Sequence, residues 1–118
     1  MSKKVLIAED DSTMITLLHT LLKMEGYEAS SVDVDADVSA EIQRIKPDVL
    51  FMDVHLGQQS GLDIVESIRN RPEFKALRIV MTSGLDLRED CLRRGADAFI
   101  LKPFMPDELL ELLKDDSR

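Results

Sequence analysis

Apolar runs that end in polar or charged residues alternate with stretches of helical periodicity, and this alternation constrains the chain more than any other feature. Val5-Leu6-Ile7-Ala8, Val49-Leu50-Phe51-Met52, Ile79-Val80-Met81 and Ala98-Phe99-Ile100-Leu101 are runs of consecutive apolar residues. Such runs read as strands buried on both faces, which is the condition of a parallel sheet. Glu28-Ala29-Ser30-Ser31-Val32 is a weaker strand whose polar character suits a sheet edge. Five strands alternating with helices predict an α/β fold with a parallel sheet and helices on both faces. In such a sheet the strands' carboxyl ends share one edge, where ligand crevices form. Glu9 and Asp10 follow the first strand, Asp53 closes the third, Thr82-Ser83-Gly84 close the fourth and Lys102 follows the fifth.

The connecting segments carry helix signals. Met14, Leu17, Leu18, Leu21 and Leu22 recur at helical spacing from Ser12 to Glu25, with Asp11 or Ser12 as N-cap and Gly26 as terminator. Val38, Ile42 and Ile45 mark a second helix, stopped at Lys46-Pro47-Asp48. Val54 to Gln59 reads as a loop with one glycine, and Ser60 with Asp63 predicts a capping box for a helix bearing Leu62, Val65 and Ile68. Leu87 to Arg94 is polar and allows two helical turns at most. Pro106 opens a last helix whose Leu109, Leu110, Leu112 and Leu113 are expected to face inward.

At 118 residues the chain is read as one domain, residues 1–118, with no second domain and no signal peptide. No apolar run is long enough to span a bilayer, so the cytoplasm is the expected location and no membrane partner is expected. A net charge of −8 opposes binding to nucleic acid backbones and favours protein partners. Cys91 lies in a polar helical stretch and reads as an incidental reduced thiol. His19 and His55 have no second histidine or cysteine at ligand spacing, so neither imidazole is assigned to a metal.

Acids at the close of an apolar strand repel one another by about 4 kcal/mol per pair at about 4 Å and an effective dielectric near 20. Either a divalent cation compensates Glu9, Asp10 and Asp11, or some of them cap the next helix. The hydroxyls of Thr82 and Ser83 suit either a phosphoryl oxygen or a local turn. Together, three carboxylates, a hydroxyl and an ammonium on one edge match the needs of phosphoryl transfer onto a carboxylate.

Val5-Leu6-Ile7-Ala8-Glu9-Asp10-Asp11, Phe51-Met52-Asp53, Ser83-Gly84 and the run from Gly95 to Phe104 resemble, in this order and spacing, the receiver domain of bacterial two-component response regulators. The resemblance covers essentially the whole chain. It implies a flavodoxin-like fold with strand order 2-1-3-4-5, an order that comes from the family and not from the residues. It implies that Asp53 is the phosphoacceptor, taking a phosphoryl group from a sensor histidine kinase or phosphotransfer protein. Glu9 and Asp10 match the acidic pair that holds Mg²⁺, with Asp10 the direct ligand and Glu9 acting through water, and the metal also takes the backbone carbonyl of His55. Ser83 rather than Thr82 matches the switch hydroxyl, Lys102 the phosphate-binding lysine, and Phe99 the switch aromatic that turns inward on phosphorylation. The Lys102-Pro103 bond is expected to be cis. The product is a switch for a downstream protein target, not a turnover enzyme.

The chain departs from the family in two places. Leu56-Gly57 stands where Met-Pro is frequent, and the Ser83–Gly95 stretch is short, which predicts an abbreviated fourth helix. His55 and Leu85 occupy positions that flank the attacking water's path in the family. Two other classes fit parts of the pattern: a Mg²⁺-dependent phosphohydrolase with an aspartyl nucleophile, disfavoured by His55 where Asp-x-Asp is common, and a degenerate receiver that only binds partners. Direct DNA binding would need a further domain beyond Arg118.

Overall fold

The computed structural model describes residues 3–33 and 35–114; the readings placed on Met1-Ser2 and Arg118 lie outside these. Its elements are β1 (Lys4–Ala8), α1 (Ser12–Met24), β2 (Glu28–Val32), α2 (Val38–Ile45), β3 (Val49–Asp53), β4 (His55–Leu56) and β5 (Gln59–Ser60). They continue with α3 (Gly61–Arg69), a 3₁₀ turn (Pro72–Phe74), β6 (Arg78–Ser83), α4 (Arg88–Arg94), β7 (Ala98–Leu101) and α5 (Pro106–Lys114). The main sheet is parallel, in the order β2-β1-β3-β6-β7. Leaving β4 and β5 aside, this is the expected 2-1-3-4-5 order of a flavodoxin-like fold.

Alternate residues of the strands feed two separate cores. Leu6, Ala8, Leu50, Met52, Ile79, Met81 and Phe99 pack with α2, α3 and α4 on one face. Val5, Ile7, Val49, Phe51, Val80 and Ile100 pack with α1 and α5 on the other. Every residue of β3 and of β6 is buried, as two covered faces require. Full burial of each large side chain is worth about 1.5–3 kcal/mol, so the two central strands anchor the domain.

The helix ends follow local chemistry. Asp11 is the N-cap of α1, accepting from Thr13 and Met14 N–H. Ser60 caps α3 by accepting from Asp63 N–H, but the reciprocal half of the box is absent: Asp63 pairs instead with Arg94 of α4 at 2.9 Å. Helix α4 is seven residues long, two turns, as its short segment demanded.

Two readings of the sequence need correction. The segment after Asp53 is not a plain loop: His55–Leu56 and Gln59–Ser60 form an antiparallel hairpin around Gly57-Gln58. Leu17, on the expected apolar stripe of α1, is 62% exposed, because only Leu18 and Leu22 of that helix are buried against the sheet. In α5 all four leucines face inward as expected, Leu109 and Leu113 fully buried and Leu110 and Leu112 half-buried against the same core. Cys91 is a free thiol, as expected, and is fully buried where α4 meets the sheet.

A half-buried arginine ties the opposite end of the sheet. Arg69, at the end of α3, donates to the carbonyls of Gly95 and Phe74 and pairs with Asp97 at 2.7 Å, while Asp97 also accepts from Ile79 N–H. Gly95 is required beside it, since its φ is +123° and an added Cβ would lie 2.4 Å from Arg69 Cγ.

Burial pushes the Cys91 thiol up to about 11, with the Asp90 charge adding to the effect. Only the thiolate reacts with disulfide reagents. At mildly alkaline pH the folded chain should therefore react about a hundredfold more slowly than the denatured chain, and equal rates would show that Cys91 is not enclosed.

Candidate functional site

Because the strands are parallel and in register, their ends deliver side chains to one place. Asp53, the last residue of β3, lies beside Thr82 of β6, and Ser83 beside Leu101 of β7. Backbone bonds lock this edge: Val54 N–H donates to the Thr82 carbonyl and Lys102 N–H to the Ser83 carbonyl, each at 2.9 Å. The Lys102-Pro103 bond is cis, as expected.

Lys102 Nζ donates to Asp53 Oδ2 at 2.5 Å and to Glu9 Oε1 at 2.8 Å, joining three strand ends through one ammonium. Glu9 is 1% exposed, and its other oxygen accepts from the N–H groups of Asp10 and Asp11. Asp53 Oδ1 accepts from His55 N–H at 2.7 Å. Asp10 stands exposed at the rim, with Oδ2 accepting from Gly57 N–H at 3.1 Å. Carboxylate oxygens of Glu9, Asp10 and Asp53 lie within 4.8 Å of one another. An all-oxygen, multiply anionic set suits a hard divalent cation such as Mg²⁺ and does not suit a soft metal. The donors therefore fit the ion that the sequence pattern implied.

The electrostatics reflect this crowding. Burial raises the Glu9 carboxyl above its ordinary value; the Lys102 hydrogen bond opposes this and the Asp53 charge adds to it. Burial alone would lower the Lys102 ammonium, but its bonds to Asp53 and Glu9 outweigh that cost and raise it.

Other readings separate clearly. The Thr82 hydroxyl is committed to the Ile100 carbonyl of the adjacent strand at 2.8 Å. Ser83 Oγ accepts from Leu85 N–H at 3.1 Å, which leaves its own proton to donate. Phe99 is 2% exposed, on the core face it shares with Met81, with the Arg88 guanidinium 5.6 Å from the ring centroid. An inward turn of this ring thus starts from a ring already buried. The His55 side chain is exposed.

Sequence reasoning gave no role to Gly61. A Cβ there would lie 2.6 Å from the Asp53 carbonyl oxygen and 2.8 Å from Val54 Cα, so glycine lets α3 begin directly against the acceptor strand. The Gly-x pair at the tip of a two-residue turn was the available signal for the hairpin itself.

An acidic cation pocket with a bridging lysine, at the carboxyl edge of a 2-1-3-4-5 parallel sheet, defines a receiver-type α/β domain. The family model described as response regulator receiver domain matches residues 5–114, and the chain belongs to that family. It is 28% identical to chemotaxis protein CheY of Thermotoga maritima, over 100% of both chains. It is 30% identical to the phosphate regulon transcriptional regulatory protein PhoB of Rhizobium meliloti, covering 97% of this chain and 52% of that one. Against AlgB of Pseudomonas putida it spans 24% of the relative's length, so several relatives are much longer. Among solved structures, the receiver domain of sensor histidine kinase PA1611 from Pseudomonas aeruginosa, with a magnesium ion in its active site cleft, superposes with TM-score 0.82 at 25% identity, covering 97% of this chain and 96% of that one.

Removing the lysine exposes the cost of the carboxylate pair. A group whose folded-state pKa is raised favours folding at low pH and loses that contribution as pH rises through the raised value. In Lys102→Ala without metal, Glu9 should rise further. The variant should lose roughly 1–3 kcal/mol near neutral pH, and recover part of it as pH falls toward the ordinary carboxylate range, in urea unfolding followed by circular dichroism. A pH-independent loss would contradict this.

Proposed function

We propose that this domain accepts a phosphoryl group on Asp53 from a phosphohistidine of a sensor kinase or phosphotransfer protein, and signals by binding a protein. The observation that carries the reading is the ammonium of Lys102 bound to both Asp53 and Glu9 within a three-carboxylate cluster.

In the transfer an Asp53 carboxylate oxygen attacks phosphorus, a P–O bond forms, and the P–N bond to histidine breaks with its electron pair returning to the imidazole. Glu9, Asp10 and Asp53, with the His55 carbonyl, would hold Mg²⁺, which supplies positive charge for the transferred oxygens. Lys102 keeps the second Asp53 oxygen oriented and has one N–H left for the phosphoryl group. Ser83 has a free hydroxyl proton for another phosphoryl oxygen, whereas Thr82 has already spent its own. Held donors of this kind act where charge develops and need no reorganisation during the step.

Ser83 and Phe99 face the same core layer from adjacent strands, so a pull on Ser83 is felt at the ring. The output face is that of α4, β7 and α5, where Leu92, Leu101 and Met105 stand exposed. A shift in the populations of this face is the signal, and the partner is a protein.

Incubation with acetyl phosphate and Mg²⁺ should add the mass of one phosphoryl group to the intact chain. Asp53→Asn, or chelation of the metal, should abolish the gain. Labelling that survives either change would overturn the assignment, and sustained hydrolysis of a small phosphate ester would favour a phosphohydrolase instead. His55 and Leu85, both exposed beside the site, should on substitution change the rate of phosphoryl loss more than the rate of uptake. Equal effects on both rates in a stopped labelling course would remove them from the water's path.

A further inference from the structure

The hairpin after Asp53 brings two backbone N–H groups to two different carboxylates. His55 N–H binds Asp53 Oδ1, and Gly57 N–H binds Asp10 Oδ2 across 47 positions of chain. Among the described residues no other donor reaches the Asp10 carboxylate. Asp10 is otherwise an exposed side chain on the β1–α1 connection, free to sample rotamers. Gly57 is by contrast held firmly. Leu56 is fully buried beside it, the hairpin is paired at His55–Ser60 and Leu56–Gln59, and Gln59 Nε2 donates to the Ala36 carbonyl at 3.2 Å. The turn carries a positive φ of 59° at Gly57 and none at Gln58, the φ pattern of a type II′ turn.

We propose that Gly57 is a positioning residue of the cation site: its backbone N–H holds one Asp10 oxygen and so presents the other to the metal. This rests on the reading above that Asp10 is a cation ligand. The bond fixes the rotamer of Asp10 before the ion arrives, which removes part of the ordering cost of binding. It also draws off part of the negative charge that would push Asp10 away from Asp53 and Glu9. Proline, frequent at this place in the family, has no N–H to give and cannot take a φ of 59°. The departure from Met-Pro at Leu56-Gly57 is therefore a gain of one ligand-orienting bond.

The test is calorimetric titration of Mg²⁺ into the wild-type chain, Gly57→Pro and Gly57→Asn, with the metal-free melting temperature of each. Asparagine keeps the N–H and tolerates left-handed φ. Gly57→Pro should bind Mg²⁺ roughly five- to tenfold more weakly than wild type, the scale of one charge-assisted hydrogen bond at a partly exposed site, and Gly57→Asn should stay within about twofold. Equal affinity in all three chains, tighter binding by Gly57→Pro, or equal loss in both variants would each overturn the proposal. Absence of Mg²⁺ binding by wild type would overturn the underlying site reading as well, which separates the two failures. A second measurement does not depend on Gly57→Pro folding. In the metal-free chain the Gly57 amide proton should resonate downfield and move upfield in Asp10→Ala; an unmoved signal overturns the bond.

Discussion

The ammonium of Lys102 is what permits the rest of the site to exist. Glu9 and Asp53 come to the same point from positions 93 and 49 residues away in sequence, and both are nearly excluded from water. Two carboxylates so placed repel by several kcal/mol, about 4 at close range with an effective dielectric near 20. One cation between them, with backbone N–H groups on their remaining oxygens, turns that repulsion into a hydrogen-bonded network. The network is balanced and not saturated: Asp10 adds a third charge at the rim, and the excess anionic character suits a hard divalent ion.

Strands β3 and β6 are buried throughout, so Asp53 and Ser83 are carried on strands packed on both faces. Gly61 allows α3 to start in contact with the Asp53 and Val54 backbone, and the Gly61 N–H closes on the Val54 carbonyl. At the far end of the sheet Arg69 binds the 3₁₀ turn, the α4 exit and β6 through Asp97, a role that is purely structural. Stability and chemistry are thus assigned to opposite edges. The acidic edge can keep its repulsion because the other edge and the two cores supply the compensating free energy.

Ser83, Phe99 and α4 border one core layer. Ser83 is the last residue of β6, Met81 two residues earlier pairs with Phe99, and Phe99 packs with Cys91 of α4 in the same core layer. In a densely packed core a small displacement at Ser83 cannot be absorbed locally.

The sequence alone determined the periodicity and the ends. Consecutive apolar runs separated by helical stripes required a parallel α/β sheet, and parallel strands force Glu9, Asp10, Asp53, Ser83 and Lys102 to one edge. Those are local and topological facts, and a strand's hydrophobicity and its last residue are visible in the string. What the string did not carry were relations between side chains set by packing. Thr82 and Ser83 are both hydroxyls at a strand end, and only the sheet register commits one to Ile100 and leaves the other with a proton to give. Leu17 has the spacing of a core residue, but the sheet offers α1 room for a narrower stripe. Cys91 looks polar by its neighbours and is buried because α4 lies flat on the sheet. The hold of Gly57 on Asp10 is a contact across 47 residues, and no local signal encodes a contact whose geometry depends on where two separate loops are delivered.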